Sequence, residues 1–217
     1  MINKKVIAEF TGTFLLTACV IGSGIMAENL SNGNIALALL CNTIATGAIL
    51  FVIIKMFSPI SGAHFNPAVS YIFYLKDDLS KKDFYQYLLI QFIAAGFSVI
   101  LVHYMFGLSI FQISNNHRGE IEMLVSEALA TFGLISTILL IRESDEKAVA
   151  LGVALFICAG YWFTPSTSFA NPAVLLARVF TNSFTGIAPS SVLYFFVGQL
   201  LGALIGFYFY KLLKNYL

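Results

Sequence analysis

The tetrapeptide Asn-Pro-Ala-Val occurs at Asn66-Pro67-Ala68-Val69 and again at Asn171-Pro172-Ala173-Val174, once in each half of the chain. Average residue usage gives roughly a few hundredths of one Asn-Pro-Ala by chance in such a length. Each copy opens an apolar segment, 66–75 and 171–180. At about 10 residues these segments are too short to cross a bilayer. Around them lie six longer apolar stretches, at about 6–27, 34–57, 84–106, 122–141, 148–164 and 188–210. A span needs about 20 such residues. In lipid every backbone N–H and C=O must be paired within the protein, so the spans are expected as helices and the two short segments as re-entrant pieces. The expected fold is an all-α membrane protein, with six transmembrane helices plus two re-entrant half-helices in one unit over 1–217.

Composition agrees with lipid as the solvent. The chain is 59% hydrophobic and 11% charged, against about 25% charged for an ordinary soluble domain. A formal net charge of +1 and the lack of a basic run with interleaved aromatics point away from nucleic acid. No nucleophile–base pair or metal-ligand constellation stands out, so neither an enzyme nor a cofactor or metal site is expected. Cys19, Cys41 and Cys158 fall inside spans and read as buried small residues without a disulfide framework. The opening stretch is long enough to span and lacks a clear cleavage site, so it reads as retained.

With six spans both termini share a side. That side takes Lys4, Lys5, Lys55, Lys76, Lys81, Lys82, Arg142, Lys147, Lys211 and Lys214, and the other takes Arg118 and Arg178. The bias predicts cytoplasmic termini in a multi-pass protein of the plasma (inner) membrane. The halves also repeat, at about 1–110 and 118–217. Glu9-Phe10-Thr11-Gly12-Thr13-Phe14 matches Glu127-Ala128-Leu129-Ala130-Thr131-Phe132 in its Glu, Thr and Phe, and Gln91 matches Gln199. Three spans per half is an odd number, so the second half is inverted, with a pseudo-two-fold axis in the membrane plane. Gly22, Gly24, Gly96, Gly152, Gly202 and Gly206 read as close-packing positions.

Asparagine is a good N-cap and proline suits the first helical turn. Each Asn-Pro-Ala-Val therefore reads as the start of a half-helix. Entering from opposite faces, the two would meet N-terminus to N-terminus near the midplane. Their positive dipole ends and the Asn66 and Asn171 amides would converge there, a centre suited to neutral hydrogen-bonding solutes and hostile to cations. A carboxylate inside a span is expensive. Glu9 and Glu127 read best as acceptors for the irregular backbone of the re-entrant loops, with ion or proton coupling as the other role.

Ser61-Gly62-Ala63-His64-Phe65-Asn66-Pro67-Ala68-Val69, the second Asn-Pro-Ala, Glu9, Glu127 and the Gln-bearing spans resemble the aquaporin (major intrinsic protein) family over essentially the whole chain. The resemblance implies a homotetramer with one pore per subunit. It also implies a filter of four side chains at the outer pore. Family spacing puts that filter at Thr46, Ala159, Ser168 and Val174, with Gly160 as the alternative to Ala159. Water-selective members keep an arginine where this chain has Val174, so the resemblance implies a wider, uncharged opening. His64 and Val69 are pore-lining candidates. Arg178, one turn beyond Val174, suits either the outer vestibule or, more simply, a helix C-terminus that meets solvent.

The expected function is a passive channel for small uncharged solutes: metalloid acids such as arsenite, methylated arsenicals, glycerol, and water with them. The alternatives are an ion-coupled secondary transporter and a closed-pore structural membrane protein.

Overall fold

The computed structural model describes residues 3–216, so residues 1, 2 and 217 of the expected unit lie outside the described range. Six long helices are α1 (Lys4–Leu30), α2 (Ile35–Ser61), α4 (Lys81–Met105), α5 (Ile121–Ser144), α6 (Val149–Phe163) and α8 (Pro189–Leu213). Two short ones are α3 (Pro67–Leu75) and α7 (Pro172–Val179). Each long helix is long and apolar enough to cross a membrane, α6 together with the 3₁₀ turn Glu146–Ala148 before it. Most helices run a few residues beyond the apolar stretches because polar ends such as Lys81–Asp83 and Arg142–Ser144 continue the backbone ladder. Apolar periodicity registers only the part facing lipid or core.

Starts and stops follow local chemistry. Asn34 and Ser80 cap α2 and α4, accepting from Leu37 N–H at 3.0 Å and Asp83 N–H at 3.1 Å. α2 runs through Pro59 and stops at Gly62, which is left-handed at φ 87° and bonds its N–H to the Ser58 carbonyl.

Packing repeats between the halves. In the first, α1 packs on α2 and α4; in the second, α5 packs on α6 and α8. α3 lies on α4 and crosses to α8, and α7 lies on α8 and crosses to α4. α2 against α6 closes the two halves on each other. This is the inverted repeat expressed as contacts.

The α5–α8 seam is set by glycines four apart. A Cβ on Gly198, Gly202 or Gly206 would strike the carbonyl oxygen of Leu124, Ala128 or Phe132 respectively. The two backbones run at small-residue separation along three turns, as lipid-embedded helices require. At the matched seam, α4 puts Ala94 and Ser98, both fully buried, where α8 has Gly202 and Gly206. Gly96 is different: a Cβ there meets nothing and the residue is exposed, so its expected packing role is not found. Cys41 is likewise exposed rather than buried. Cys19 and Cys158 are half-buried, and their thiols face the α2 carbonyls of Ala45 (3.4 Å) and Thr43 (3.6 Å).

Both described ends of the chain lie at one face, the terminal face. There Asn3 bonds Gln86 at 3.3 Å, Lys5 pairs with Asp83 at 3.0 Å, and Tyr210 bonds Glu143. α3 runs toward this face and α7 toward the opposite one.

Gly202→Val is expected to lower the melting temperature of detergent-purified protein, by overpacking against a carbonyl that cannot yield, at a cost of about 1–3 kcal/mol. Gly96→Val should leave it unchanged.

Candidate functional site

Two short loops lead into α3 and α7, and both hold left-handed backbone at equal offsets. Gly62, Ala63 and Phe65 have φ 87°, 55° and 49°; Thr167, Ser168 and Ala170 have φ 59°, 50° and 44°. They stand four, three and one residues before Asn66 and Asn171. Such geometry costs an L-residue roughly 1–2 kcal/mol, and it persists only where surroundings over-determine it.

The over-determination comes from two buried carboxylates. Glu9 accepts from the N–H of His64 (2.9 Å) and Phe65 (2.7 Å), the Ser61 hydroxyl (2.7 Å) and the Gln91 amide (2.8 Å). Glu127 accepts from the N–H of Phe169 (2.9 Å) and Ala170 (2.9 Å) and the Gln199 amide (2.7 Å). Both carboxylates are fully buried. Drawing these N–H groups into the protein turns the loop carbonyls the other way. The Phe65 carbonyl accepts from Asn171 Nδ2 at 2.9 Å, and the Ala170 carbonyl from Asn66 Nδ2 at 2.7 Å.

Each asparagine side chain thus bonds at both its oxygen and its nitrogen. Its Oδ1 caps its own half-helix, on Ala68 N–H at 2.9 Å and on Ala173 N–H at 3.0 Å, with Pro67 and Pro172 in the first turn. One Nδ2 hydrogen holds the opposite loop. An amide has two, so one remains for whatever passes.

Both asparagines line a cavity of about 690 Å³. It runs from Lys5, Asp78 and Arg142 at the terminal face to Thr46, Tyr161, Val174 and Arg178 beyond the asparagines. Its walls are helical stripes: Thr46, Leu50, Ile54 and Ser58 from α2, and Ala150, Val153, Ile157 and Tyr161 from α6. Val69 is part of the wall. His64 also lines it, but its ring is wedged between Phe73 (4.6 Å) and Tyr87 (5.3 Å), with Nδ1 3.1 Å from the Ser70 hydroxyl. Most of the wall is apolar, and polar groups concentrate at the asparagines and the two ends.

The outer end differs from the expected filter at one position. Ala159 is exposed on the outside of α6 and does not line the cavity. Gly160 faces the loop, where a Cβ would press on Ser168 at 2.7 Å. Tyr161 is the lining residue, its hydroxyl 3.2 Å from Thr46 Oγ1. The reason is register: 150, 153 and 157 face the cavity, and the next position on that stripe is 161. Thr46, Ser168 and Val174 all line the cavity. The opening therefore carries a tyrosine hydroxyl and is not small on every side.

Arg178 does not meet solvent as a helix terminus would. It is 3% exposed. Its Nε donates to the Thr185 carbonyl, and its Cζ lies 3.3 Å from the centroid of Phe169. Arg118, half-buried in the loop before α5, donates Nε to Gly186 O at 2.7 Å and Nη2 to Phe184 O at 2.8 Å, with Cζ 5.3 Å from the same ring. Burial pushes the Arg118 guanidinium down to about 10, which leaves it charged at neutral pH. Sequence reasoning missed Tyr161, Phe169 and Arg118. The α6 stripe was the available signal for Tyr161; nothing local marked the other two.

Glu127→Ala orphans two buried amide donors at about 1–3 kcal/mol each. The expected result is a large loss of thermal stability with little folded protein recovered. Glu127→Gln, which keeps one acceptor oxygen, should lose less, and size-exclusion profiles with melting curves check both.

The Major intrinsic protein family profile matches residues 1–148. The chain is 48% identical over 202 residues to Aquaglyceroporin AqpS of Rhizobium meliloti (strain 1021), covering 93% of this chain and 86% of that one. It is 28% identical to Aquaporin TIP1-2 of Zea mays, covering 97% and 85%. The structure of the aquaglyceroporin from Plasmodium falciparum superposes with a TM-score of 0.73 at 21% identity, over 98% of this chain and 95% of that one; at that identity the likeness speaks for the fold. With the paired half-helices and their shared cavity already described, these matches place the chain in the major intrinsic protein family, as a multi-pass membrane channel for small solutes and not an enzyme.

Proposed function

We propose that this channel is a facilitator of small uncharged solutes, metalloid acids such as arsenite and methylated arsenicals among them, with glycerol and water passing too. The observation that carries the reading is Val174. It lies at the start of α7, lines the cavity and is 4% exposed, so the lining beyond the asparagines includes an aliphatic side chain along with Thr46 and Tyr161. Hydroxyl-bearing neutral solutes find donors and acceptors at the asparagines, at Thr46 and Tyr161, and an apolar wall between. The aquaglyceroporin description of the R. meliloti relative supports glycerol and water as co-permeants.

Ion-coupled transport is less well supported. Glu9 and Glu127 are the carboxylates near the centre, and both are committed to loop amides. The reading further assigns the protein to the plasma (inner) membrane as a homotetramer with both termini cytoplasmic. Lys5, Lys55, Arg142 and Lys147 at the terminal face agree with that orientation.

In proteoliposomes the wild type should shrink and re-swell in glycerol and take up arsenite without a gradient of any coupling ion. A pore that passes water alone sinks the solute reading. Val174→Arg narrows the outer end, so arsenite and glycerol uptake should fall on the order of tenfold, as for a lost contact of about 1.4 kcal/mol, with water flux retained. Stopped-flow scattering and tracer uptake on one preparation check this.

A further inference from the structure

Arg178 is a buried cation whose hydrogen-bonding capacity is mostly unused. A guanidinium has five N–H donors. Among the described residues only Nε of Arg178 has a protein acceptor, the Thr185 carbonyl. Among the described residues no carboxylate forms an ion pair with it: the salt bridges found there involve Lys5, Lys76 and Arg142. Burying a charge is costly unless it is paired or reached by water. Nη1 and Nη2 are absent from the buried atoms left without partners, so they face open space.

That space is the junction of two cavities. Arg178 lines the inner cavity with Asn171 and Val174, and it lines a second cavity of about 620 Å³ with Glu28, Asn42, Arg118 and Asn182 toward the opposite face. No other described residue lines both. The guanidinium is held flat by Phe169, within the distance at which a cation and an aromatic face attract. Arg118 over the same ring adds a second positive charge to that wall.

We propose that Arg178 is the charge-selecting residue of this channel: it fixes a positive charge where the inner passage meets the outer vestibule, repels cations there, and donates hydrogen bonds to the oxygen atoms of passing neutral solutes. The inference rests on the passive-channel reading. The α7 face repeats every turn, so Val174 and Arg178 lie about 6 Å apart along the axis and a charge at 174 addresses the same passage.

The test is reconstituted protein, with water flux from stopped-flow scattering and proton and sodium leak from the decay of an imposed membrane potential. A cation about 6 Å from a fixed charge, at an effective dielectric constant of about 20, is repelled strongly enough for on the order of a hundredfold change in entry. Arg178→Gln should raise the leak, taken as a ratio to the water flux of the same preparation, by up to that factor. Arg178→Lys should keep the leak low, and Arg178→Gln combined with Val174→Arg should restore exclusion. If Arg178→Gln does not insert, Val174→Asp sets a carboxylate one turn from the intact guanidinium and should raise the leak in its place. A water-permeable Arg178→Gln or Val174→Asp protein with wild-type leak overturns the proposal, as does a double variant that stays leaky. A folded wild type that passes no neutral solute overturns the channel reading instead.

Discussion

Two carboxylates hold this structure's centre in shape. Glu9 and Glu127 each take two consecutive loop amides that lipid could not satisfy. Everything at the midplane depends on that pairing. It keeps three residues per loop in left-handed geometry, it directs the loop carbonyls toward the opposite asparagine, and it lets Asn66 and Asn171 cap two helices whose N-termini face each other. A carboxylate is suited to the task because it only accepts, and a charge-assisted bond to a backbone N–H is stronger than a neutral one. Gln91 and Gln199 then fix each carboxylate from the neighbouring helix, so the brace belongs to three elements at once.

Duplication explains the scaffold, and the departures from it locate the chemistry. The helix contacts, the φ > 0 positions, the carboxylate braces and the caps all have a counterpart in the other half. The residue two before each asparagine does not. His64 occupies it in the first half and packs between Phe73 and Tyr87. Phe169 occupies it in the second and carries the Arg178 and Arg118 guanidinia. Two differences within the repeat, His64 against Phe169 and Phe73 against Arg178, thus separate a packed wall from a charged one, and the passage becomes polar in sense although its frame is two-fold.

Legibility in the sequence follows the range of the forces involved. The helices were readable because lipid demands long apolar runs. The half-helices were readable because Asn-Pro is both cap and first turn. The brace was readable because a lone Glu at the same place in each half has few other reasons to be in a span. Position 159 was misread because counting along the chain from Asn171 ignores the helical stripe of 150, 153 and 157 on α6, whose next position is Tyr161. Of the two readings of Arg178, the solvent-facing helix end failed for a different reason. The residue's place one turn past Val174 was evident, but its burial depends on Phe169, Thr185 and Arg118, brought together from three separate loops.

Val174 and Arg178 are then two parts of one arrangement. A large cation at 174 would have both filled the passage and charged it. With valine at 174 and the guanidinium one turn outward, held against an aromatic ring, width and charge are set by different residues. The charge acts over several ångströms in a poorly screened site, so it repels a cation from 178 much as it would from 174. Size exclusion acts only at contact, so it is relaxed when the bulky group moves back. A channel built this way can widen its admission of neutral solutes without admitting ions, and the residue after the second Asn-Pro-Ala is the one whose size decides how wide.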